Sequence, residues 1–310
     1  MKALVLGANG FIGTKLVHRL IEDGHQVRIL TRTQGKIPSE NTEVFVGDLK
    51  DPNLDFVALS NGCEVIFNCA GEIRNDDLMH ELHVASTERF LKVLAESTAA
   101  RPVHWVQLSS VGAYGSVPNV ERVVTEETQV NPKGQYEVTK TLADQCIVEM
   151  SSSGRFTYSI LRPSNVFGPA MPNNSIRQLA GIVRRRLFFY VGFNNSIATY
   201  IHVDDVVSAL LLCGFDGRAK GEIFNISNDC SLREVIGGLA SGFSVPAPRL
   251  VIPEFVVRLG VSVAALLTKG LITQERVNAL TARTRYPYTK IERVLGFVPK
   301  KHVPENICDI

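Results

Sequence analysis

Residues 3 to 13, ALVLGANGFIG, constrain this chain more than any other stretch. Four apolar residues read as a buried strand. Gly7, Gly10 and Gly13 then follow with the spacing G-x-x-G-x-x-G, where that strand must turn into a helix over 11–22. Glycine at the first position lets the chain turn sharply, at the second it lets backbone N–H groups approach a phosphate, and at the third it lets helix pack closely on strand. The helix beginning at Phe11 and Ile12, with Asn9 in the turn before it, aims its positive dipole end at the same place. A bare glycine triplet is a weak signal. A strand before it and an amphipathic helix after it make it a cradle for the pyrophosphate of a dinucleotide.

Strand-like segments recur along the first half at 3–6, 26–30, 43–47, 64–70, 104–110 and 156–163, with amphipathic stretches between them. Continuous apolar strands of this kind belong to a parallel sheet covered on both faces, so the repeat predicts an α/β, doubly wound parallel sheet. The rhythm breaks after residue 163. Two further sheet-like pieces, 199–203 and 222–227, bracket a helix expected over 204–214. The division this suggests is a dinucleotide-binding domain made of 1–163 with 196–228, and a smaller, discontinuous substrate lobe made of 164–195 with 229–310.

Lys plus Arg (33) nearly balances Asp plus Glu (31), which argues against nucleic acid or an anionic membrane as partner. Six cysteines, at 63, 69, 146, 213, 230 and 308, form no C-x-x-C pair and read as reduced thiols. The stretch FVVRLGVSVAALLTKG carries Arg258 and is too short to span a bilayer, and nothing near the start reads as a signal peptide. A soluble, cytoplasmic protein is expected.

The cofactor can be narrowed. An acidic residue at the end of the second strand would grip a ribose diol, but this chain has ILTRTQGK there, with Arg32 and Lys36 and no acid between Asp23 and Glu40. A guanidinium binds a 2′-phosphate that a carboxylate would repel, so NADP(H) is favoured over NAD(H). Asp48 is placed to accept from the adenine amino group, with Leu49 packing on the ring. Ala70 and Gly71, in NCAG, are small enough for a cofactor ribose to lie against the backbone.

Chemistry resides in SSVGAYG (109–115) and YEVTK (136–140). Tyr136 and Lys140 are four apart and share a helix face. A free phenol ionises near pH 10, and a neighbouring ammonium, together with the positive nicotinamide of an oxidised cofactor, is expected to lower that value. Ser110, at the carboxyl end of a strand, supplies a hydroxyl to the substrate oxygen. The three form an acid–base unit suited to hydride transfer. Tyr286 and Lys290 repeat the spacing, but Pro287 lies between them and no strand delivers a serine, so packing and solvated charge are expected there. Tyr114 has Pro118 four residues on.

Taken in order, these motifs resemble the extended short-chain dehydrogenase/reductases, and within them the NAD-dependent epimerase/dehydratase group. The likeness continues through LRPSNVFGP (161–169), YIHVDDVVSAL (200–210) and GEIFNIS (221–227). It implies that Pro163 to Val166 lies beside the nicotinamide, that Asn165 touches substrate, and that an Asp of HVDDV caps the next helix; no metal is expected at His202, Asp204 and Asp205. It also implies a homodimer through the helices around 76–98 and 133–150. The chain departs from the family at Leu6-Gly7, where a threonine-glycine pair is usual, and at His83, near a position that is commonly asparagine. Val111 and Gly112 follow Ser110 where dehydratases carry an acidic pair, which argues against dehydration. Two chemistries are left: epimerisation of a nucleotide sugar, and net reduction of a keto-sugar. Arg184 to Arg186 read as a solvated helix face, with contact to a diphosphate as the alternative. The alternatives are an NADPH-dependent reductase of a flavonoid-like or steroid-like ketone, and a non-catalytic NADP(H)-binding sensor or scaffold. Retention of Ser110, Tyr136 and Lys140 weighs against the last.

Overall fold

Alternate residues of the first strand, β1 (Lys2–Leu6), enter different cores: Ala3 and Val5 pack with Leu16, Val17 and Leu20, whereas Leu4 and Leu6 pack with Phe90, Leu91 and Trp105. Burial on both faces is why the strand reads as an unbroken apolar run. The computed structural model describes residues 1–33, 41–97, 102–117, 120–172, 174–193, 196–267 and 274–310. In it, β1 is an interior strand of a seven-stranded parallel sheet completed by β2 (Gln26–Thr31), β3 (Thr42–Val46), β4 (Val65–Asn68), β5 (Val103–Leu108), β6 (Phe156–Pro163) and β7 (Glu222–Ile226). The spatial order is β3-β2-β1-β4-β5-β6-β7. The order reverses between β1 and β4, and ligands of open α/β sheets bind at such a switch point, beyond the carboxyl ends of the strands.

Helices cover both faces. The longer ones are α1 (Phe11–Glu22), α2 (Ser86–Ala95), α3 (Gln135–Ser151), α4 (Ser175–Arg184), α5 (Val203–Phe215), α6 (Leu232–Gly242) and α7 (Glu254–Leu267). A further cluster gathers Phe167, Met171, Ile176 and Val183 with Leu232, Val235, Ile236 and Leu239, and Phe11 at the start of α1 packs against it. Ile291, Leu295 and Phe297 return to the core beneath α1 and α5.

One expected strand behaves differently. Tyr200–His202 is a strand, but it pairs in parallel with Asn165–Phe167 outside the main sheet. The helix after it is capped by His202 and not by an aspartate: Nδ1 of His202 accepts from the Asp204 N–H at 3.2 Å. Asp204 instead binds Lys15 at 3.0 Å, and Asp205 accepts from the backbone N–H groups of Lys300 and Lys301. Among the described residues no group of three His, Cys, Asp or Glu side chains is arranged to hold a metal.

Candidate active site

The glycine turn closes as its spacing requires. Gly7 has φ +74°, and the Gly10 N–H donates to the Gly7 carbonyl at 2.9 Å. A Cβ at Gly13 would lie 2.1 Å from the Gly7 oxygen, so α1 can approach β1 only with glycine there. The turn opens into a cleft of about 330 Å³ lined by Gly7, Asn9, Gly10, Arg32, Asp48 and Leu49, with Lys50, Ala70 and Gly71 farther along. The cleft fits the adenosine diphosphate half of a dinucleotide: backbone N–H groups at a helix start and no side chain at Gly7 or Gly10 to fill the space. A larger hollow of about 890 Å³, lined by Met1, Glu64, His104 and Phe215, opens at the amino ends of the strands, away from this turn.

Not every residue expected at the cofactor lines this cleft. Phe11 packs on the Phe167 cluster and Ile12 on the sheet core, so what they bring to the turn is their backbone. Pro163 is buried at the end of β6 and Val166 packs into the core. Asn9 donates to Thr31 Oγ1 at 3.0 Å, tying the turn to the end of β2. Asp48 Oδ1 accepts from the Lys50 N–H at 3.0 Å, which stiffens the turn after β3. Lys36 lies outside the described residues.

The residues expected to form an acid–base unit lie where β5 meets α3. Asp144, one turn beyond Lys140, accepts from Ser109 Oγ at 2.8 Å and from Arg162 Nε and Nη2 at 3.0 and 2.9 Å. Arg162 also donates to the Tyr114 hydroxyl, which donates to Asn225 Oδ1, both at 3.0 Å. This buried chain locks β5, β6 and β7 to α3, because each member would otherwise be an unsatisfied polar group. At the other end of α3, the Glu137 carboxylate accepts from the N–H groups of Lys133 and Gly134. A Cβ at Gly112 would lie 3.0 Å from Glu137 Cγ and 3.3 Å from Ser110 Oγ, so Ser110 sits against the first turn of α3. Ser110 Oγ accepts from the Gly112 N–H at 3.0 Å, leaving its own proton free to donate.

Lys140 Nζ donates to the Leu108 carbonyl at 2.8 Å and approaches the Ala70 carbonyl at 3.5 Å, which brings it to the edge of the cofactor cleft. Burial lowers its pKa to about 8. The protein's own groups do not lower the pKa of Tyr136. Burial, with a smaller contribution from Asp144, raises the phenol to about 12. The reason is that desolvation disfavours the phenolate, while the ammonium is engaged with backbone carbonyls. Tyr136 is therefore a protonated phenol at neutral pH.

Sequence reasoning assigned no role to His83. The helix widens to π geometry over Glu81–Ala85, and His83 is buried there, its ring edge-on to Tyr136 with centroids 5.7 Å apart. Nε2 accepts from the Glu72 N–H at 2.9 Å and Nδ1 contacts Thr139 Oγ1 at 2.8 Å. Burial, with the charge of Lys140, pushes its pKa down to about 3, so it is neutral. The one signal for it in sequence is its place where the resembled family commonly has asparagine. The other Y-x-x-x-K pair is structural: Tyr286 packs near Tyr114, and Lys290 pairs with Glu222 at 2.8 Å.

The sequence matches the NAD dependent epimerase/dehydratase family over residues 3–227. The chain belongs to that family. It is thus an NAD(P)-dependent enzyme of the extended short-chain dehydrogenase/reductase type. It is 27% identical to UDP-glucose 4-epimerase of Mycolicibacterium smegmatis, over 99% of this chain and 96% of that one. It is 23% identical to the decarboxylating sterol-4-alpha-carboxylate 3-dehydrogenase of Mus musculus, over 99% of this chain and 89% of the relative. Among solved structures, UDP-glucuronic acid 4-epimerase from Bacillus cereus in complex with NAD superposes with a TM-score of 0.74 at 17% identity, over 99% of this chain and 96% of that one, which speaks for the fold alone.

Proposed function

We propose that this protein is an NADP(H)-preferring reductase, or in reverse a dehydrogenase, of a ketone or secondary alcohol carried on a largely apolar molecule. The observation that carries this reading is a second cavity of about 520 Å³ beside Asn165. Leu179, Ile182, Ile197, Leu232, Leu280 and Tyr286 form much of its wall, and Arg276 is the one cation among its described lining residues. Arg276 already donates to Gln178 at 3.1 Å. Arg184, Arg185 and Arg186, candidates for a diphosphate, are exposed and do not line it. A sugar diphosphate needs cations placed to meet it; this wall offers apolar contact. A dinucleotide held by the Gly7–Gly13 turn, Arg32 and Asp48 would supply or accept the hydride through its nicotinamide. Tyr136 donates its proton to the carbonyl oxygen, and the free Ser110 proton steadies the same oxygen as charge develops. Arg32 and Lys50 line the cleft where a 2′-phosphate would lie, which supports NADP(H).

Epimerisation of a nucleotide sugar is the second reading. It is favoured by Arg276 in the wall and by the sugar-nucleotide relatives, just as the sterol dehydrogenase favours the first. The two separate in one assay. NADPH oxidation is followed with polycyclic ketones and with nucleotide 4-ketosugars, alongside UDP-glucose turnover at catalytic cofactor. Stoichiometric NADPH consumption with an apolar ketone supports the proposal; epimer formation without net NADPH loss overturns it.

A further inference from the structure

The four most exposed large apolar side chains of the described residues are Phe193 (77%), Phe255 (73%), Leu187 (67%) and Leu259 (66%). They belong to one face. Leu187 and Phe193 flank the short strand Tyr190–Val191, which pairs in parallel with Val251–Ile252. Tyr190 N–H donates to the Leu250 carbonyl at 2.9 Å, so exposed Leu250 and Arg249 run alongside, and α7 starts two residues beyond Ile252. In α7, Val257 and Val261 face inward to Val191 and Val277, while Phe255 and Leu259, one turn apart, face out. Exposed Arg184, Arg185 and Arg186 immediately precede Leu187. Two of the segments that contribute to this face, 174–203 and 235–253, contain no acidic residue, and Glu254, which opens α7, is paired with Arg258 at 2.8 Å. The near-neutral charge of the whole chain conceals this asymmetry.

We propose that this face docks on an anionic lipid bilayer, with Leu187, Phe193, Leu250, Phe255 and Leu259 entering the headgroup layer and Arg184, Arg185, Arg186 and Arg249 meeting lipid phosphates. Apolar groups ringed by arginine are the combination that holds a protein in an interface without crossing it. Among the described residues no helix is long and apolar enough to span. A second copy is the poorer occupant, because a two-fold contact would bring two arginine-bearing, acid-poor faces together with no carboxylates from 174–203 or 235–253 to offset them. The face also borders the apolar cavity: Ile182, on the helix that ends in these arginines, lines that cavity and is 41% exposed. Docking would hold the cavity's mouth at the lipid, a supply route for a membrane-dissolved ketone. That clause rests on the proposed function; the docking itself does not.

The test is co-sedimentation of the full chain with phosphatidylcholine vesicles, with and without phosphatidylserine, at low and high salt, with no substrate present. Salt-sensitive binding that requires phosphatidylserine is expected. Arg184→Ser, Arg185→Ser and Arg186→Ser together lower partitioning on the order of 100-fold, and Phe255→Ser with Leu259→Ser lowers it at least about 10-fold. Circular dichroism and NADPH affinity stay unchanged in both, since these positions lie outside the active site. Absence of vesicle binding, or binding that ignores lipid charge, overturns the proposal. So does a solution dimer that the Phe255 and Leu259 changes turn into monomer without any effect on vesicles. Failure of the apolar-ketone reading would leave vesicle binding intact, so the two fail separately.

Discussion

His83 stands edge-on to Tyr136, ring centroids 5.7 Å apart, held there by a hydrogen bond on each of its own nitrogens. The π turn that places it matters because such insertions re-aim a side chain without ending the helix. His83→Ala removes the edge contact and leaves the Glu72 N–H without its acceptor, while the Thr139 hydroxyl keeps its bond to the Gln135 carbonyl at 2.9 Å. The expected result is a fall in kcat of about 10-fold with cofactor affinity little changed. Since His83 is neutral in the fold, wild-type rates should show no histidine limb between about pH 5 and 8. A limb in that range that disappears in His83→Asn would contradict the positioning role.

Tyr136→Phe keeps the ring and its contact with His83 but removes the proton donor. Turnover should drop by about 10²- to 10⁴-fold, while NADPH binding, measured by fluorescence titration, stays near wild type. Full activity in this variant would mean that another group supplies the proton.

Lys140 gives the pH dependence a definite sign. It titrates near about 8 in the fold, below its ordinary 10.5. It is charged below that pH and neutral above it, so reduction should plateau on the acid side and decline as pH rises through 8. Stability moves the other way. Between about 8 and 10.5 the unfolded chain carries the proton that the folded chain has lost, so this lysine's contribution to stability rises with pH. Subtracting the denaturation midpoints of Lys140→Met from those of wild type across that range isolates the contribution. A difference that falls with pH would refute the assignment.

Most of the sheet was legible because β1 and its parallel neighbours are buried on both faces, and such strands announce themselves as apolar runs. Gly7 and Gly13 were legible because backbone atoms lie 2.7 and 2.1 Å from where their Cβ would be, and Gly10 because it keeps the turn open to a phosphate. What escaped was tertiary. Tyr200–His202 looks like another sheet strand, yet its pairing with Asn165–Phe167 depends on a partner 35 residues away. The raised phenol of Tyr136 escaped for a related reason: spacing puts Lys140 on the same helix face, but only the fold shows its ammonium given to the Leu108 and Ala70 carbonyls. His83 needed both the π turn and the ring of Tyr136 to become visible.

Gly13→Ala tests the tight turn as a steric claim. The added methyl would lie 2.1 Å from the Gly7 carbonyl oxygen, and backbone, unlike a flexible side chain, must shift as a unit to relieve it. A loss of about 1–3 kcal/mol in unfolding free energy is expected, together with weakened dinucleotide binding. Gly181→Ala is the control: it lies within α4 with nothing within 4 Å of the new carbon, and should gain about 0.4–1 kcal/mol. Equal effects at the two positions would show that helix propensity, and not the approach of α1 to β1, is being measured.

Arg32 decides the cofactor. It is exposed just past the end of β2 and lines the cleft with Lys50, while Asp48, a carboxylate of the same wall, accepts from the Lys50 backbone and pairs with its ammonium at 3.8 Å. An arginine here attracts a 2′-phosphate, and a charge-assisted pair is worth about 1.5–3 kcal/mol, so Arg32→Ala should weaken NADPH binding by roughly 10- to 100-fold. NADH has no phosphate at that position, and its affinity should change by no more than about 2-fold, within the scatter of exposed-site substitutions. Arg32→Asp sharpens the contrast, since a carboxylate repels the phosphate and can accept from a ribose hydroxyl: NADPH should lose affinity and NADH gain it. Equal losses for both nucleotides would place the selectivity elsewhere in the cleft and remove the argument for NADP(H).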